Sequence, residues 1–342
     1  MINFSSILPL IFLLSSKILP GQYSTDNNVL DKFITSENFG ERILTLRFDP
    51  EVTVHINAPS KEMFDSNKKI LLILYALPNG NTIEQTIGKK LKPGDDWHFD
   101  VQHIGAQSRF LRENYPEANI ILAYLMTDGK SWPAWRREKI NGDLVIKSLV
   151  DSLTNLFQQF NTKIVLSGHS GGGSFIFGFL NSVEKIPSNV ERITFLDSNY
   201  GYEDSLEHGD KIIDWLSEGL LTEKESEDHF LSVIAYDDRD VKINGKNIVS
   251  PTGGTYYRSR MMKEKLDNEF EFTEQCDSAF TSYISLNGRI KIILKENPKV
   301  EIFHTVLVER NGFIQSILSG TEYESKNYNF WSERCYEEWI AE

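Results

Sequence analysis

Positive charge is scarce in this sequence of 342 residues. It has 36 lysines and arginines against 49 aspartates and glutamates, which gives a formal net charge of −13 at pH 7. A protein that binds nucleic acid through its phosphates needs a cationic surface. The composition therefore argues against nucleic acid as a partner, whereas 40% hydrophobic residues suffice for a large core in one or two domains.

Hydrophobic runs long enough to cross a bilayer are absent. One short apolar run, residues 7–14, is followed by small and polar residues, as in a secretory signal peptide, although no lysine or arginine precedes Lys17. We expect a signal peptide over residues 1–24, with cleavage between about residues 20 and 26, and no membrane span. A signal peptide implies that the protein is secreted or periplasmic. The alternative is that this segment forms a buried N-terminal strand.

Cysteine is nearly absent, with only Cys276 and Cys335 in the chain. In an oxidising compartment the two could pair and tie the C-terminal tail to the body of the protein, or both could be free buried thiols. His98 and His103, in the stretch DDWHFDVQH, have no convincing set of metal ligands around them. We interpret them as structural or rim residues and expect no metal.

Repeats, low-complexity tracts and Pro/Ser-rich linkers are missing after Ser24. The chain therefore reads as one domain over residues 25–342, with insertions around residues 127–140 and 241–285. Alternation on either side of Asp49 and Pro50 predicts a β-hairpin over residues 41–57.

The rest of the chain alternates predicted strands and helices. Apolar runs predict strands over residues 70–76, 118–126, 163–166, 192–196, 231–236 and 300–308. Helices are predicted over residues 96–114, 143–160, 172–183, 210–216, 290–295 and 312–318. This order implies an α/β fold, a mostly parallel sheet with helices on both faces and an antiparallel N-terminal hairpin.

The stretch GHSGG, from Gly168 to Gly172, carries the pattern G-x-S-x-G. It lies where a predicted strand gives way to a predicted helix, which is the context in which this turn lifts a serine hydroxyl clear of a sheet. Small residues are needed beside the serine because the strand and the helix pack closely there. Ser170 is therefore a candidate nucleophile, with a plain glycine-rich turn as the alternative.

With this motif in this context, the chain resembles the α/β-hydrolase superfamily of serine esterases and lipases over nearly its whole length after residue 40. The motifs identify no subfamily with a known substrate. The resemblance implies an α/β-hydrolase fold and a serine, an acid and a histidine in that chain order. It also implies that a histidine takes the serine proton and that a carboxylate orients the histidine.

The resemblance places the acid in the stretch VIAYDDRDV, which offers Asp237, Asp238 and Asp240. Asp238 is favoured by position, and Asp197, one strand earlier, is less favoured. An acid-rich loop of this kind is alternatively a solvated turn or a weak cation site. His304 is the only histidine downstream of this loop and is the candidate base, unless it is a core histidine.

Ester hydrolysis also needs hydrogen-bond donors for the developing oxyanion. The resemblance implies the backbone N–H of Gly171 and a second N–H from the stretch LPNGN. Pro78 cannot donate, so Asn79 or Gly80 is expected to supply the second donor. A simple Pro-Asn-Gly turn is the competing interpretation.

Aromatic and basic residues in the two insertions are candidates for substrate binding, with Trp132, Tyr257 and Arg258 as the expected contacts. Such side chains suit a glycan or a carboxylate-bearing ester, and they equally suit surface packing. We expect a secreted serine esterase that acts on a small-molecule, glycan or peptide ester without a cofactor. The alternative is a binding or adhesion protein of the same fold that has lost catalysis.

Overall fold

The computed structural model describes residues 29–220, 229–301 and 305–342. The strands are β1 (Ile34–Thr35), β2 (Arg42–Phe48), β3 (Val52–Ala58), β4 (Lys69–Ala76), β5 (Ala118–Thr127), β6 (Thr162–His169), β7 (Val190–Leu196), β8 (Phe230–Tyr236), β9 (Lys242–Ile243), β10 (Lys246–Asn247), β11 (Thr273–Cys276), β12 (Phe280–Ser285) and β13 (Ile290–Lys295). The helices are α1 (Ile83–Ile87), α2 (Ile104–Asn114), α3 (Trp132–Glu138), α4 (Gly142–Leu156), α5 (Gly173–Ser182), α6 (His208–Glu218), α7 (Thr255–Leu266), α8 (Thr305–Leu307) and α9 (Phe313–Leu318). The expected signal peptide lies outside the described residues.

Eleven of the described strands form one sheet in the order β1-β2-β3-β5-β4-β6-β7-β8-β13-β12-β11. The six strands from β5 to β13 in this order run parallel to one another. The hairpin of β2 and β3 pairs antiparallel at one side, and β12 and β11 do so at the other. The mostly parallel sheet and the antiparallel N-terminal hairpin that the sequence predicts are confirmed.

Alternating side chains of β4 enter two separate hydrophobic cores, one on each face of the sheet. Leu72 and Leu74 join the core that is covered by α3 to α7. Leu71, Ile73 and Tyr75 join the core that is covered by α1, α2 and α9. A strand buried on both faces needs apolar residues at every position, which explains why this segment reads as an unbroken hydrophobic run.

Parallel strands end at one edge of the sheet, and this edge carries the candidate residues. Asn79 follows β4, Ser170 follows β6, Asp197 follows β7 and Asp238 follows β8. The residues that the sequence separates by more than 150 positions therefore meet at one place because of the strand order.

Residues 290–295 form the strand β13, so the helix predicted there is wrong. β13 pairs parallel with β8 and antiparallel with β12. Periodicity cannot decide between a short buried strand and a helix turn in a run this short. Its β-branched Ile290, Ile292 and Ile293 pack well on a pleated surface, and the neighbouring strands supply the pairing.

Two further predicted elements differ from the structure. The predicted helix over residues 96–114 is a short 3₁₀ turn, Trp97–Asp100, and then α2; His103 has a left-handed φ of +46° between them. The predicted strand over residues 300–308 is wrong where it is described, because Thr305–Leu307 is helical and a π turn, Val308–Gly312, follows. In both segments, a turn of the backbone interrupts the helix or strand that the local sequence pattern predicts.

Both cysteines are free thiols in this structure. Cys276 is exposed in β11, whereas Cys335 is half-buried and its burial raises the pKa of the thiol to about 12. The disulfide that the sequence allows between them is therefore not formed here. Over the three described ranges, the structure contains no helix that is both long and apolar enough to span a bilayer.

Candidate active site

Ser170 lies on the turn between β6 and α5. The turn is a single 3₁₀ segment, Ser170–Gly172, and α5 begins at the next residue. Ser170 has a φ of +52°, in the left-handed region that side chains other than glycine rarely adopt. Such backbone strain persists only where the surrounding structure imposes it, and it concentrates at functional sites.

Close packing behind the turn explains its glycines. A Cβ atom at Gly172 would collide with the carbonyl oxygen of Ala76 at the end of β4. A Cβ atom at Gly168 would lie 2.8 Å from the carbonyl carbon of Gly172, which is too close for a real contact. The helix can therefore approach the sheet and present Ser170 only because these positions have no side chain.

A cavity of about 670 Å³ opens beside Ser170. This volume lies within the usual range for small-molecule sites. The described residues that line it are Asn79, Trp97, Pro133, Ser170, Gly171, Tyr200, Tyr236, Ile248, Val249 and Thr305. Ser170 itself is half-buried, so its hydroxyl is sheltered but accessible from this cavity.

Asn79 and Gly171 lie in direct contact at the cavity wall. A Cβ atom at Gly171 would collide with the side chain of Asn79. The N–H of Gly80 donates to the carbonyl of Lys130 at 2.9 Å, so Gly80 is not available as an oxyanion donor. The N–H of Asn79 has no acceptor among the described residues. Of the two residues that the sequence offers, Asn79 is the one that lines the cavity and whose N–H has no acceptor among the described residues.

The three aspartates of the loop after β8 lie in different environments. Asp237 forms an ion pair with Arg239 at 2.7 Å, and Asp240 is exposed. Asp238 is fully buried. Across the described ranges, no group of three or more His, Cys, Asp or Glu side chains is arranged to bind a metal ion.

Two buried carboxylates, Asp197 and Asp238, flank Thr255 at the start of α7. The N–H of Thr255 donates to Oδ2 of Asp238 at 2.9 Å, and the Thr255 hydroxyl donates to Oδ1 of Asp197. Burial and the nearby Asp197 charge raise the pKa of Asp238 to about 7, against the opposing effect of the Thr255 N–H. Oδ1 of Asp238 is buried and accepts no hydrogen bond from the described residues.

Tyr200 and Tyr236 both line the cavity, and both interact electrostatically with the carboxylates of Asp197 and Asp238. Burial raises the pKa of each phenol well above its usual range, and the charges of Asp197 and Asp238 raise it further. Tyr200 also hydrogen-bonds with Asp197. Both tyrosines therefore remain neutral donors at physiological pH.

His304 lies outside the described residues. Its neighbour in the sequence, Thr305, lines the cavity beside Ser170. The segment that leads there after β13 starts next to the Asp238 loop, because the N–H of Asp237 donates to Lys295 O at 2.9 Å and Asn297 Nδ2 donates to Asp237 O at 3.2 Å.

The six described histidines do not line the cavity. They are His55, His98, His103, His169, His208 and His229. His103 is buried and its Nε2 lies 2.7 Å from Asp100, whereas His98 stacks on Trp97. These two contacts agree with structural and rim roles for this pair.

None of the three substrate contacts expected from the sequence is among the described residues that line the cavity. Trp132 is 1% exposed, packs against Phe175 in the core, and its Nε1 donates to a backbone carbonyl of β5. Arg258 forms an ion pair with Glu203 at 3.0 Å. Tyr257 is 40% exposed on α7 and is not among the described residues that line the cavity.

Several residues of the cavity wall were not predicted from the sequence. They lie mainly at strand ends and in the loops beside them. Tyr236 is the last residue of β8, and Tyr200 lies three positions after Asp197. Their places at the carboxyl ends of parallel strands are a signal that could have identified both. Trp97 begins a short 3₁₀ turn and Ile248 lies in the loop after β10, and only the three-dimensional fold brings them to Ser170.

The strand order and the serine turn together define the fold. The parallel strands, the antiparallel strands at the N-terminal side and a serine held on a strained strand-to-helix turn are the features of the α/β-hydrolase fold. The chain adopts the fold of the α/β-hydrolase superfamily, as its sequence predicts.

No protein-family model matches the chain, and no curated protein matches it in sequence. Among solved structures it is similar to a thermostable esterase, with 13% identity and a TM-score of 0.45, over 85% of this chain and 64% of that one. It is similar to siderophore hydrolase EstB from Aspergillus nidulans, with 12% identity and a TM-score of 0.44, over 85% and 97% of the two chains. A third similarity is to poly(aspartic acid) hydrolase-1 from Sphingomonas sp. KT-1, with 13% identity and a TM-score of 0.39, over 68% and 88%. The chain spans less than two thirds of the thermostable esterase.

Proposed function

We propose that the protein is a serine hydrolase that cleaves carboxylic esters through an acyl-enzyme on Ser170. The observation that carries the proposal is the strained φ of Ser170 on a turn that opens into a cavity beside Asn79 and Gly171. A fold stores such strain where the reaction needs an exposed nucleophile.

In the proposed reaction, Ser170 Oγ attacks the ester carbonyl while His304 takes the hydroxyl proton. The N–H groups of Gly171 and Asn79 donate to the oxyanion of the tetrahedral intermediate. The intermediate collapses as His304 returns the proton to the leaving alcohol, and the acyl group remains on Ser170. Water activated by His304 then releases the acid and restores the serine.

We assign the orienting acid to Asp238. Its buried Oδ1 lacks a donor among the described residues, and a buried carboxylate oxygen needs one. We assign this donor role to the ring N–H of His304, because the chain that leads from β13 towards position 304 starts beside the Asp238 loop. Asp237 forms an ion pair with Arg239 and Asp240 is exposed, so we assign neither of them as the acid that orients His304.

Asp197 serves in this proposal as a supporting acid. Its Oδ1 accepts from the Thr255 hydroxyl, and Tyr200 also hydrogen-bonds with this carboxylate. These partners keep Asp197 in place. Its charge also favours a cation next to Asp238, as the His304 imidazolium is in the transition state.

Labelling with a fluorophosphonate, followed by peptide mass spectrometry, tests the nucleophile. We expect one adduct, on Ser170, and its loss together with ester hydrolysis in Ser170→Ala. Ser152→Ala is the matched control, since Ser152 is an exposed position of α4 and its variant should label like the wild type. Wild-type protein that neither labels nor hydrolyses any ester would instead support the binding-protein alternative.

The other two roles need their own variants. His304→Ala and Asp238→Asn should each lower kcat by two orders of magnitude or more, because the three residues act as a unit. Asp240→Asn is the control for the acid, because Asp240 is exposed in the same loop. A His304→Ala variant with unimpaired turnover would show that the base has been wrongly assigned.

A further inference from the structure

The cavity beside Ser170 differs in composition from the rest of the protein. A quarter of the chain is charged, yet none of the ten described residues that line the cavity is Asp, Glu, Lys or Arg. Most of the wall is formed by indole, phenol and aliphatic side chains. A charged group that entered this space would lose its hydration without gaining a partner from these residues.

The two buried carboxylates, Asp197 and Asp238, make this preference stronger against anions than against cations. Asp197 and Asp238 interact electrostatically with Tyr200 and Tyr236, so the negative charge of these carboxylates is felt at two of the residues that line the cavity. Arg258, which the sequence offered as a substrate contact, forms an ion pair with Glu203 and is not among the described residues that line the cavity. Anionic substrates are therefore disfavoured beside Ser170.

Trp97 is the most exposed aromatic side chain of the wall. It retains 62% of its surface exposure, although such a large apolar ring is usually buried. His98 stacks on the ring with centroids 3.9 Å apart, so one ring face is already covered. The remaining surface is available to a ligand, and aromatic rings favour stacking on flat partners.

The loop that carries Trp97 is held in place by several contacts, although it is irregular. Asp96 caps its 3₁₀ turn by accepting from the N–H of His98 at 3.0 Å. Asp100, at the end of the turn, lies 2.7 Å from Nε2 of the buried His103 and 2.6 Å from Nη1 of Arg334 in the C-terminal segment. A turn whose backbone is fixed in this way loses little conformational entropy when a ligand binds.

Ile248 and Val249 belong to a different loop, between β10 and α7, and they line the same cavity. Ile248 is 37% exposed, so a second apolar surface remains uncovered there. Trp97, Ile248 and Val249 therefore provide an uncharged apolar surface from two loops. A volume of about 670 Å³ leaves room for a bicyclic ring together with the ester.

Building on the proposed hydrolase function, we propose that the protein selects neutral esters with a flat apolar group, and that Trp97 is the specificity-determining residue that stacks on this group. Selection against anionic esters follows from the uncharged wall and the two buried carboxylates, Asp197 and Asp238. Trp97 acts on substrate binding and takes no part in proton transfer.

Four probes test this proposal by steady-state kinetics: 2-naphthyl acetate, ethyl 2-naphthoate, ethyl acetate and 6-sulfo-2-naphthyl acetate. The two neutral naphthyl esters carry the flat group on opposite sides of the ester bond. We expect Trp97→Ala to lower kcat/KM for at least one of them, relative to ethyl acetate, by about tenfold. Trp97→Phe should restore most of this ratio, and the sulfonated ester should be a poorer wild-type substrate than its neutral parent.

Leu206→Ala is the control, because Leu206 is an exposed apolar residue outside the cavity lining and its loss should leave every ratio unchanged. The proposal is overturned if Trp97→Ala affects the naphthyl esters and ethyl acetate equally. Equal turnover of the sulfonated and neutral esters by the wild type would also overturn it.

A binding measurement separates this proposal from the proposed chemistry. Equilibrium dialysis of 2-naphthyl acetate with Ser170→Ala should show binding that weakens about tenfold in the Ser170→Ala, Trp97→Ala double variant. Trp97-dependent binding without any wild-type labelling would refute the hydrolase and retain the ligand class. Labelling of Ser170 without Trp97 dependence would retain the hydrolase and refute the ligand class.

Discussion

Replacing Asp238 by asparagine should stabilise the fold at alkaline pH while it removes activity. The carboxylate is buried next to Asp197, and these two causes raise its pKa to about 7 from a reference value of 3.8. A raised carboxyl pKa means that the folded state binds the proton more tightly than the unfolded state does. The charged form therefore destabilises the fold, and this penalty grows as the pH rises from 3.8 to 7.

The magnitude follows from the size of the shift. A difference of about three pKa units corresponds to about 4 kcal/mol above pH 7, as an upper limit because a His304 partner would relieve part of it. About 2 kcal/mol of this penalty develops between pH 5 and pH 7. Asparagine keeps the shape of the side chain, and its amide oxygen can still accept from the Thr255 N–H.

Urea unfolding at pH 5 and pH 8 measures the effect. We expect Asp238→Asn to exceed the wild type in unfolding free energy by about 1–4 kcal/mol at pH 8 and by clearly less at pH 5. Asp240→Asn, in the same loop but exposed, should differ from the wild type by less than about 0.5 kcal/mol at both pH values. An Asp238→Asn advantage that is absent at pH 8, or equal at the two pH values, would refute the reasoning.

Two other predictions concern the serine turn and the N-terminus. Gly172→Ala should destabilise the fold by about 3 kcal/mol or more and reduce Ser170 labelling, because its Cβ would collide with the Ala76 carbonyl oxygen in a tightly packed strand-to-helix junction. Gly129→Ala is the control, since a Cβ there meets open space; equal stability of the two variants in urea would contradict this account. We also propose that the protein is exported and that its mature chain begins between about residues 20 and 26. N-terminal mass spectrometry of protein from the producing cells checks this, and an intact Met1 would contradict it.

The sequence alone determined the serine turn and the class of fold. The pattern G-x-S-x-G between an apolar strand and an amphipathic segment specifies a turn that needs glycine two residues before and two residues after the serine, and this constraint is local. Strands that are buried on both faces, such as β4, can likewise be recognised from the sequence because every position must be apolar. Local chemistry and hydrophobic pattern were therefore sufficient for the class of fold, although not for each of its elements.

Only the tertiary structure decided which residues surround Ser170. Trp132 and Trp97 both lie in polar stretches of the sequence, yet the first is 1% exposed in the core and the second is 62% exposed in the cavity wall. Asp238 differs from Asp237 and Asp240 through burial, which depends on α7 and its Thr255. Residues 290–295 became a strand because β8 and β12 offered pairing on both sides. Burial and strand pairing arise from segments far apart in the chain, so no local pattern could contain them.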